Sequence, residues 1–314
     1  SDLITARVNK GNAIEQLESQ LSNNSHGNHA VCMPQARVGL HLAVKALLAH
    51  DSRKKVILSP YTIFAVVNMV ISAGGIPVFA DIERETCNID PSEIERLIDY
   101  NTAAVLVTHL HGLACDMDRI VALCDKYNLA LIEDAAQSQG SRWKGRLVGS
   151  FGDVGVYSFG MMKNINSLYG GAVLTSRDDI AEHVRTEINS FIPISSMDLL
   201  KRAIYGLILD VATLPLIFRA ATYWVFRYGY LHDIGPLNML SKSEQNPQLV
   251  PKFPERFCQK FSQSQARLVL QQLQNIDANT DARINTAQIY FDELTGIPGL
   301  RLPPRIDGRS HTYM

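Results

Sequence analysis

The strongest constraint on the fold lies between residues 30 and 176, where short apolar runs alternate with amphipathic segments. The runs KVILS (55–59), IPVFADI (76–82), AAVLVTH (103–109) and LALIED (129–134) are each bounded by turn residues. Helical patterns lie between them, near 38–50, 62–73, 91–99 and 116–127, and another covers 177–190. Short, almost wholly apolar strands have both faces buried. Strand, helix, strand at this spacing builds a mostly parallel sheet between helices. One helix start is punctuated. Asp90 precedes Pro91, and Ser92 with Glu95 makes an S-x-x-E pattern, so either Asp90 or Ser92 can be the cap.

A chain of 314 residues with 46% hydrophobic content can bury one large core and a smaller one. A net charge of −1 and the lack of any Lys/Arg-rich cluster give no nucleic-acid surface. Five scattered cysteines form no disulfide framework and suit a reduced, cytoplasmic setting. The first twenty residues contain no apolar signal core, so secretion is not expected.

Past residue 190 the character changes. Residues 199–226 are strongly apolar, and Leu200, Ile204, Leu207, Val211 and Leu214 share one helical face. The longest uncharged stretch there, Val211 to Phe218, falls well short of the ~18–20 residues of a membrane span. Lys201, Arg202, Arg219 and Arg227 punctuate the run. Two readings stand: burial against protein, or peripheral membrane contact through 199–226. A Pro-rich polar stretch (236–254) follows, then a helix pattern from Gln263 to Thr295, and a turn into an extended segment at 297–304. This divides the chain into a large domain (1–190), an apolar helical insertion (191–250) and a C-terminal part (251–314).

In open α/β sheets, ligands bind at the carboxyl ends of the parallel strands. LALIEDAAQ ends such a strand with Glu133 and Asp134, and Gln137 follows. Two carboxylates there are either a site or one helix-capping Asp beside a solvated Glu. GDVGVYSFGMMK supplies a second strand end with Ser158 and Lys163. A buried lysine loses its proton readily and forms Schiff bases with aldehydes, whereas a lone lysine after a strand is commonly just exposed. A pyridoxal phosphate site needs such a lysine, an acid against the ring nitrogen and donors for the phosphate. Asp134 and Ser158 are candidates for the last two. At 33–48 a strand turns into a helix whose N-terminus, with Arg37, suits either a phosphate or an ordinary βα turn. No P-loop or G-x-G-x-x-G pattern occurs. HLHGLACDMD (109–118) has no zinc-type spacing, so no metal is expected.

The ordered motifs GLHLAVKAL, AGGIPVFADI, NIDPSEIE, HLHGLACDMD, IEDAAQSQGS, GSFGDVGVYSF, Lys163-Asn164 and GGAVLTS resemble the DegT/DnrJ/EryC1/StrS family of sugar aminotransferases. The resemblance covers 12–190 well and 255–310 more loosely. It implies the α/β fold of type I pyridoxal phosphate (PLP) aminotransferases, a homodimer, and amino transfer from glutamate or glutamine to a nucleotide-linked keto-sugar for cell-surface polysaccharide or amino-sugar biosynthesis. It implies that Lys163 is the Schiff-base lysine and proton carrier, and that Asp134 is the acid on the ring nitrogen. Gln137 matches the residue near the cofactor's phenolic oxygen, Ser158 a phosphate donor, and Ala36 and Arg37 the backbone that holds the phosphate. At the ring-stacking position, usually aromatic, stand Ile63 and Phe64. Cys258 replaces an Asn that usually reaches the partner's phosphate site, and the loop after Lys163 is one residue short. The C-terminal part covers only the start of the family's small α/β domain. Such departures also fit a non-catalytic or membrane-associated scaffold of the same fold. A dehydratase using the same cofactor is a lesser alternative, since that branch typically has His where Lys163 stands.

Overall fold

The computed structural model describes residues 8–25, 29–235, 248–306 and 308–313. Residues 236–247 of the polar stretch lie outside the described residues. Helix α1 (Ala13–Asn24) precedes strand β1 (His29–Met33), and α2 (Ala36–Ala49) leads to β2 (Lys55–Leu58). Then come α3 (Phe64–Ser72), β3 (Ile76–Phe79), α4 (Pro91–Leu97), β4 (Thr102–Thr108), α5 (Met117–Tyr127) and β5 (Ala130–Asp134). A two-residue-per-strand hairpin, β6 (Arg142–Trp143) and β7 (Arg146–Leu147), precedes β8 (Val154–Ser158), β9 (Gly171–Thr175) and α6 (Asp178–Asn189).

The sheet has seven strands in the order β1-β9-β8-β5-β4-β2-β3. The pairs from β3 to β8 are parallel, and β9 runs antiparallel to both its neighbours. Of the apolar runs, those at 55–59, 103–109 and 129–134 are the inner strands β2, β4 and β5, whereas 76–82 holds β3, the partly exposed edge strand. Every residue of β4, β8 and β9 is buried, as expected for strands with helices on both faces. Two clusters form the core. One lies towards α1, α4 and α5, with Leu17, Ile94, Met117 and Ile120, and the other towards α2, α3 and α6, with Leu40, Val66, Met69 and Val184.

Two local expectations are settled by geometry. Asp90 caps α4: its side chain accepts the Ser92 N–H, and Pro91 occupies the first turn, where no N–H is needed. The pattern from Gln263 to Thr295 is two helices, Gln263–Leu273 and Ile276–Leu294. The ladder breaks at Gln274–Asn275, where the Asn275 N–H turns back to the Gln272 carbonyl.

The apolar segment is a bent helix pair. The first arm, α7 (Ser196–Thr213), begins at Ser195, whose hydroxyl accepts the Asp198 N–H. The ladder stops at Leu214, which is extended (ψ 131°), and Pro215 restarts it. No single described helix is long and apolar enough to cross a membrane. The arms Ser196–Thr213 and Pro215–Leu231, bent by 69°, reach that length and composition only together. The excursion leaves and returns at one place, because Ile192–Pro193 pairs with Gln259–Lys260. Residues 308–313 run back onto the large sheet's loops: the Thr312 N–H donates to the Gly112 carbonyl, and Arg309 lies over the Trp143 ring.

Candidate active site

A cavity of about 370 Å³ opens at the carboxyl edge of the sheet. Of the residues expected from the sequence, Ala36, Arg37, Ile63, Asp134, Ser158 and Lys163 line it together. Gln137 and Phe64 are not among its lining residues. Gln137 is committed elsewhere, its Oε1 accepting the His111 N–H at 2.9 Å. Ile63 is the N-cap of α3 and Phe64 its first residue. Neighbouring side chains point in different directions there, and it is Ile63 that turns to the cavity.

Each wall has a local cause. The β1–α2 turn places the first turn of α2 at the cavity, with Gln35 as an extended N-cap that offers no side-chain bond. The first N–H groups of a helix have no partner within it, and the helix dipole adds positive potential. The N-terminus of the 14-residue α2, at Ala36 and Arg37, is therefore suited to an anion. Two glycines bring it this close. A Cβ on Gly39 would come within 2.5 Å of the Met33 sulfur, and one on Gly171 within 2.8 Å of the Ala36 nitrogen. Ser158, at the end of β8, completes this wall, and its Oγ accepts the Gly160 N–H at 3.4 Å.

The strand end at Glu133–Asp134 divides its two carboxylates between opposite faces of the sheet. Glu133 is not solvated. It is fully buried, accepting N–H bonds from Gly149 (2.7 Å), Phe151 (2.6 Å) and Gly152 (2.8 Å) and meeting His109 Nε2 at 3.1 Å. His109 Nδ1 accepts the Cys115 N–H at 3.1 Å, so Nε2 carries the proton that faces Glu133. Asp134 is no helix cap either. It is buried at the cavity, with Oδ1 accepting the Ala136 N–H at 3.1 Å. Burial raises its carboxyl above the usual range, while the Ala136 N–H and the charge of Lys163 pull it back. Lys163 is the converse. Burial lowers its amine below the usual lysine range, and the Asp134 charge draws part of that shift back.

The short loop after Lys163 is clamped. Leu168 (φ 59°) and Tyr169 (φ 84°) both sit in the left-handed region, which side chains rarely adopt. The strain is held by side chains from the helix Gln263–Leu273. Gln265 Nε2 donates to the carbonyls of Ser167 (3.0 Å) and Tyr169 (2.6 Å). Gln272 exchanges two bonds with the backbone of Asn166, at 2.9 and 2.7 Å. Gln265 also closes a capping box with Ser262. Sequence reasoning missed this clamp, although S-x-x-Q at 262–265 is a legible capping signal. It missed Tyr205 and Leu209 too, which line the cavity from α7. Cys258 lies apart from it, in a depression with His41, Lys45 and Glu187.

The donor set fits pyridoxal phosphate on three independent grounds. The N-terminus of α2 with Ser158 suits a phosphate. A buried amine of lowered basicity suits an aldehyde. A buried carboxylate opposite suits a protonated ring nitrogen, which would lower the raised Asp134 carboxyl again.

A mostly parallel sheet with this cavity at its carboxyl edge defines a type I aminotransferase fold. The chain belongs to the DegT/DnrJ/EryC1/StrS aminotransferase family, whose sequence model matches residues 3–193. It is 38% identical over 167 residues to a GDP-perosamine synthase of Escherichia coli O157:H7, covering 53% of this chain and 46% of that protein. It is 28% identical over 304 residues to a GDP-perosamine synthase of Vibrio cholerae, covering 97% and 68%. The first of these matches thus spans about half the relative's length. Among solved structures, S. venezuelae DesV superimposes with a TM-score of 0.72 at 25% identity, covering 99% of this chain and 69% of DesV.

Proposed function

We propose that this protein is a PLP-dependent aminotransferase that moves an amino group from glutamate or glutamine to a nucleotide-linked keto-sugar in polysaccharide or amino-sugar biosynthesis. The observation that carries this reading is the buried Lys163 amine sharing one cavity with Asp134 and the N-terminus of α2. The GDP-sugar relatives support the substrate class. When bound, pyridoxal phosphate supplies an aldehyde and an electron-accepting ring.

The chain's own residues do the rest. The first-turn N–H groups of α2, at Ala36 and Arg37, hold the phosphate with Ser158 Oγ. Asp134 holds the ring nitrogen protonated, which sustains the ring's pull on electrons. Ile63, which lines the cavity, would offer an aliphatic side chain to the ring. Gln137, which does not line the cavity and whose Oε1 accepts the His111 N–H, lies outside this set. Lys163 would bind the aldehyde through its amine, and as a free amine would serve as the base and acid that moves a proton at the substrate carbon. Its lowered basicity leaves more of it as the free amine near neutral pH. Lys163, Asp134 and Ser158 in one cavity favour chemistry over a scaffold role. A homodimer belongs to the same reading.

The test is amino transfer to nucleotide-linked keto-sugars with a donor screen. Lys163→Ala is expected to lose at least about a thousandfold in rate. Undiminished transfer by that variant would refute the assignment.

A further inference from the structure

We propose that the bent helix pair 196–231 docks in the plane of an anionic lipid bilayer and holds the lysine cavity against that surface. This goes beyond the proposed reaction and does not depend on it.

The two sides of α7 differ in what they meet. Its inner side lies on the large domain. Leu199 is buried, Arg202 donates to Gln259 Oε1 at 2.8 Å and lies over the Tyr169 ring, and Tyr205 and Leu209 wall the lysine cavity. Leu200, Ile204, Leu207, Val211 and Leu214 project from the opposite side, and Leu207 is 63% exposed. At about 100° per residue, Lys201 and Asp210 fall about 90° to either side of that outer stripe, at headgroup level for a helix lying flat.

The second arm is apolar almost all round and buries only Gly229, with Leu216 80% and Trp224 56% exposed. A helix docked on protein needs one apolar stripe, whereas this arm offers several faces at once. Its aromatic end, with Tyr223, Trp224, Tyr228 and Tyr230, has the composition that settles at a membrane–water interface. The charge also points to lipid. Of the four basic side chains in 196–231, Arg202 is turned to the protein, which leaves Lys201, Arg219 and Arg227 facing outward against Asp198 and Asp210. Arg219 and Arg227 lie within the arm itself, suited to anionic headgroups. The 69° bend, and the lack of a single helix of spanning length among the described residues, suit a bent pair lying on a bilayer better than a straight span.

The test uses the full chain with vesicles of phosphatidylglycerol and phosphatidylcholine, and of phosphatidylcholine alone. Co-sedimentation gives binding, and tryptophan emission reports insertion. The chain has two tryptophans, and Trp143 is buried, so a blue shift on binding comes from Trp224. Binding to anionic vesicles is expected, with the blue shift lost in Trp224→Phe. The pair Leu207→Asp, Leu216→Asp should weaken binding at least about tenfold, as should Lys201→Gln with Arg219→Gln and Arg227→Gln. Circular dichroism and sedimentation velocity confirm that each variant is folded. No vesicle binding at any composition, or binding untouched by both sets of changes, overturns the proposal. Self-association lost in the Leu→Asp variant, without vesicle binding, assigns the face to a second copy and overturns it equally.

Discussion

At the residue scale, the site is a matter of paired environments. Lys163 is pushed towards the free amine by burial, and Asp134 towards the neutral acid. Each restrains the other's shift by charge. The sign of the Asp134→Asn effect follows. Asp134 raises the Lys163 pKa, so removing its charge lowers that pKa further. The pH profile of Lys163 labelling by an amine-selective reagent should have its midpoint below that of an exposed lysine, and lower again in Asp134→Asn. A midpoint moving upward would show that the two groups do not interact as described. That a lysine and an acid meet at the strand ends was legible in the sequence, because β5 and β8 end within the same sheet edge. The role of Glu133 was not. Its partners at 149–152 and His109 come from loops with no periodicity to reveal them.

At the element scale, the apolar runs gave the sheet because burial on both faces leaves a simple pattern. The loop behind Lys163 gave nothing comparable. Its holders, Gln265 and Gln272, lie about a hundred positions away, and a polar side chain on a helix reads as surface. Replacing either by Ala leaves loop carbonyls or N–H groups unmet. Gln265→Ala is expected to cost about 1–3 kcal/mol in urea unfolding and to reduce cofactor capture with it. Unchanged stability and capture would remove the clamp from the account. Gly39→Ala tests the close approach of α2 to the sheet. The added methyl meets Met33 and Val173, so a loss of about 1–3 kcal/mol is expected despite alanine's better helix propensity. A stabilised variant would show that α2 has room to move.

At the scale of the whole molecule, an extra helical excursion is compatible with the sheet because its ends meet at Ile192–Pro193 and Gln259–Lys260. Closing the excursion there leaves the order of the seven-stranded sheet undisturbed. The composition of 199–226 announced an apolar helical insertion, but only the fold shows that it is a bent pair whose inner side walls the cavity, since Tyr205 and Leu209 share no motif with Lys163. The homodimer reading predicts a sedimentation mass of twice 34.9 kDa. A monomer at micromolar concentration would contradict it.

The most direct test of the central claim is covalent capture. The protein is incubated with pyridoxal phosphate, reduced with borohydride, digested and analysed by mass spectrometry. The account predicts one stoichiometric adduct on Lys163, absent in Lys163→Ala and diminished in Asp134→Asn. No adduct, or one scattered over surface lysines and unchanged in Lys163→Ala, would contradict it.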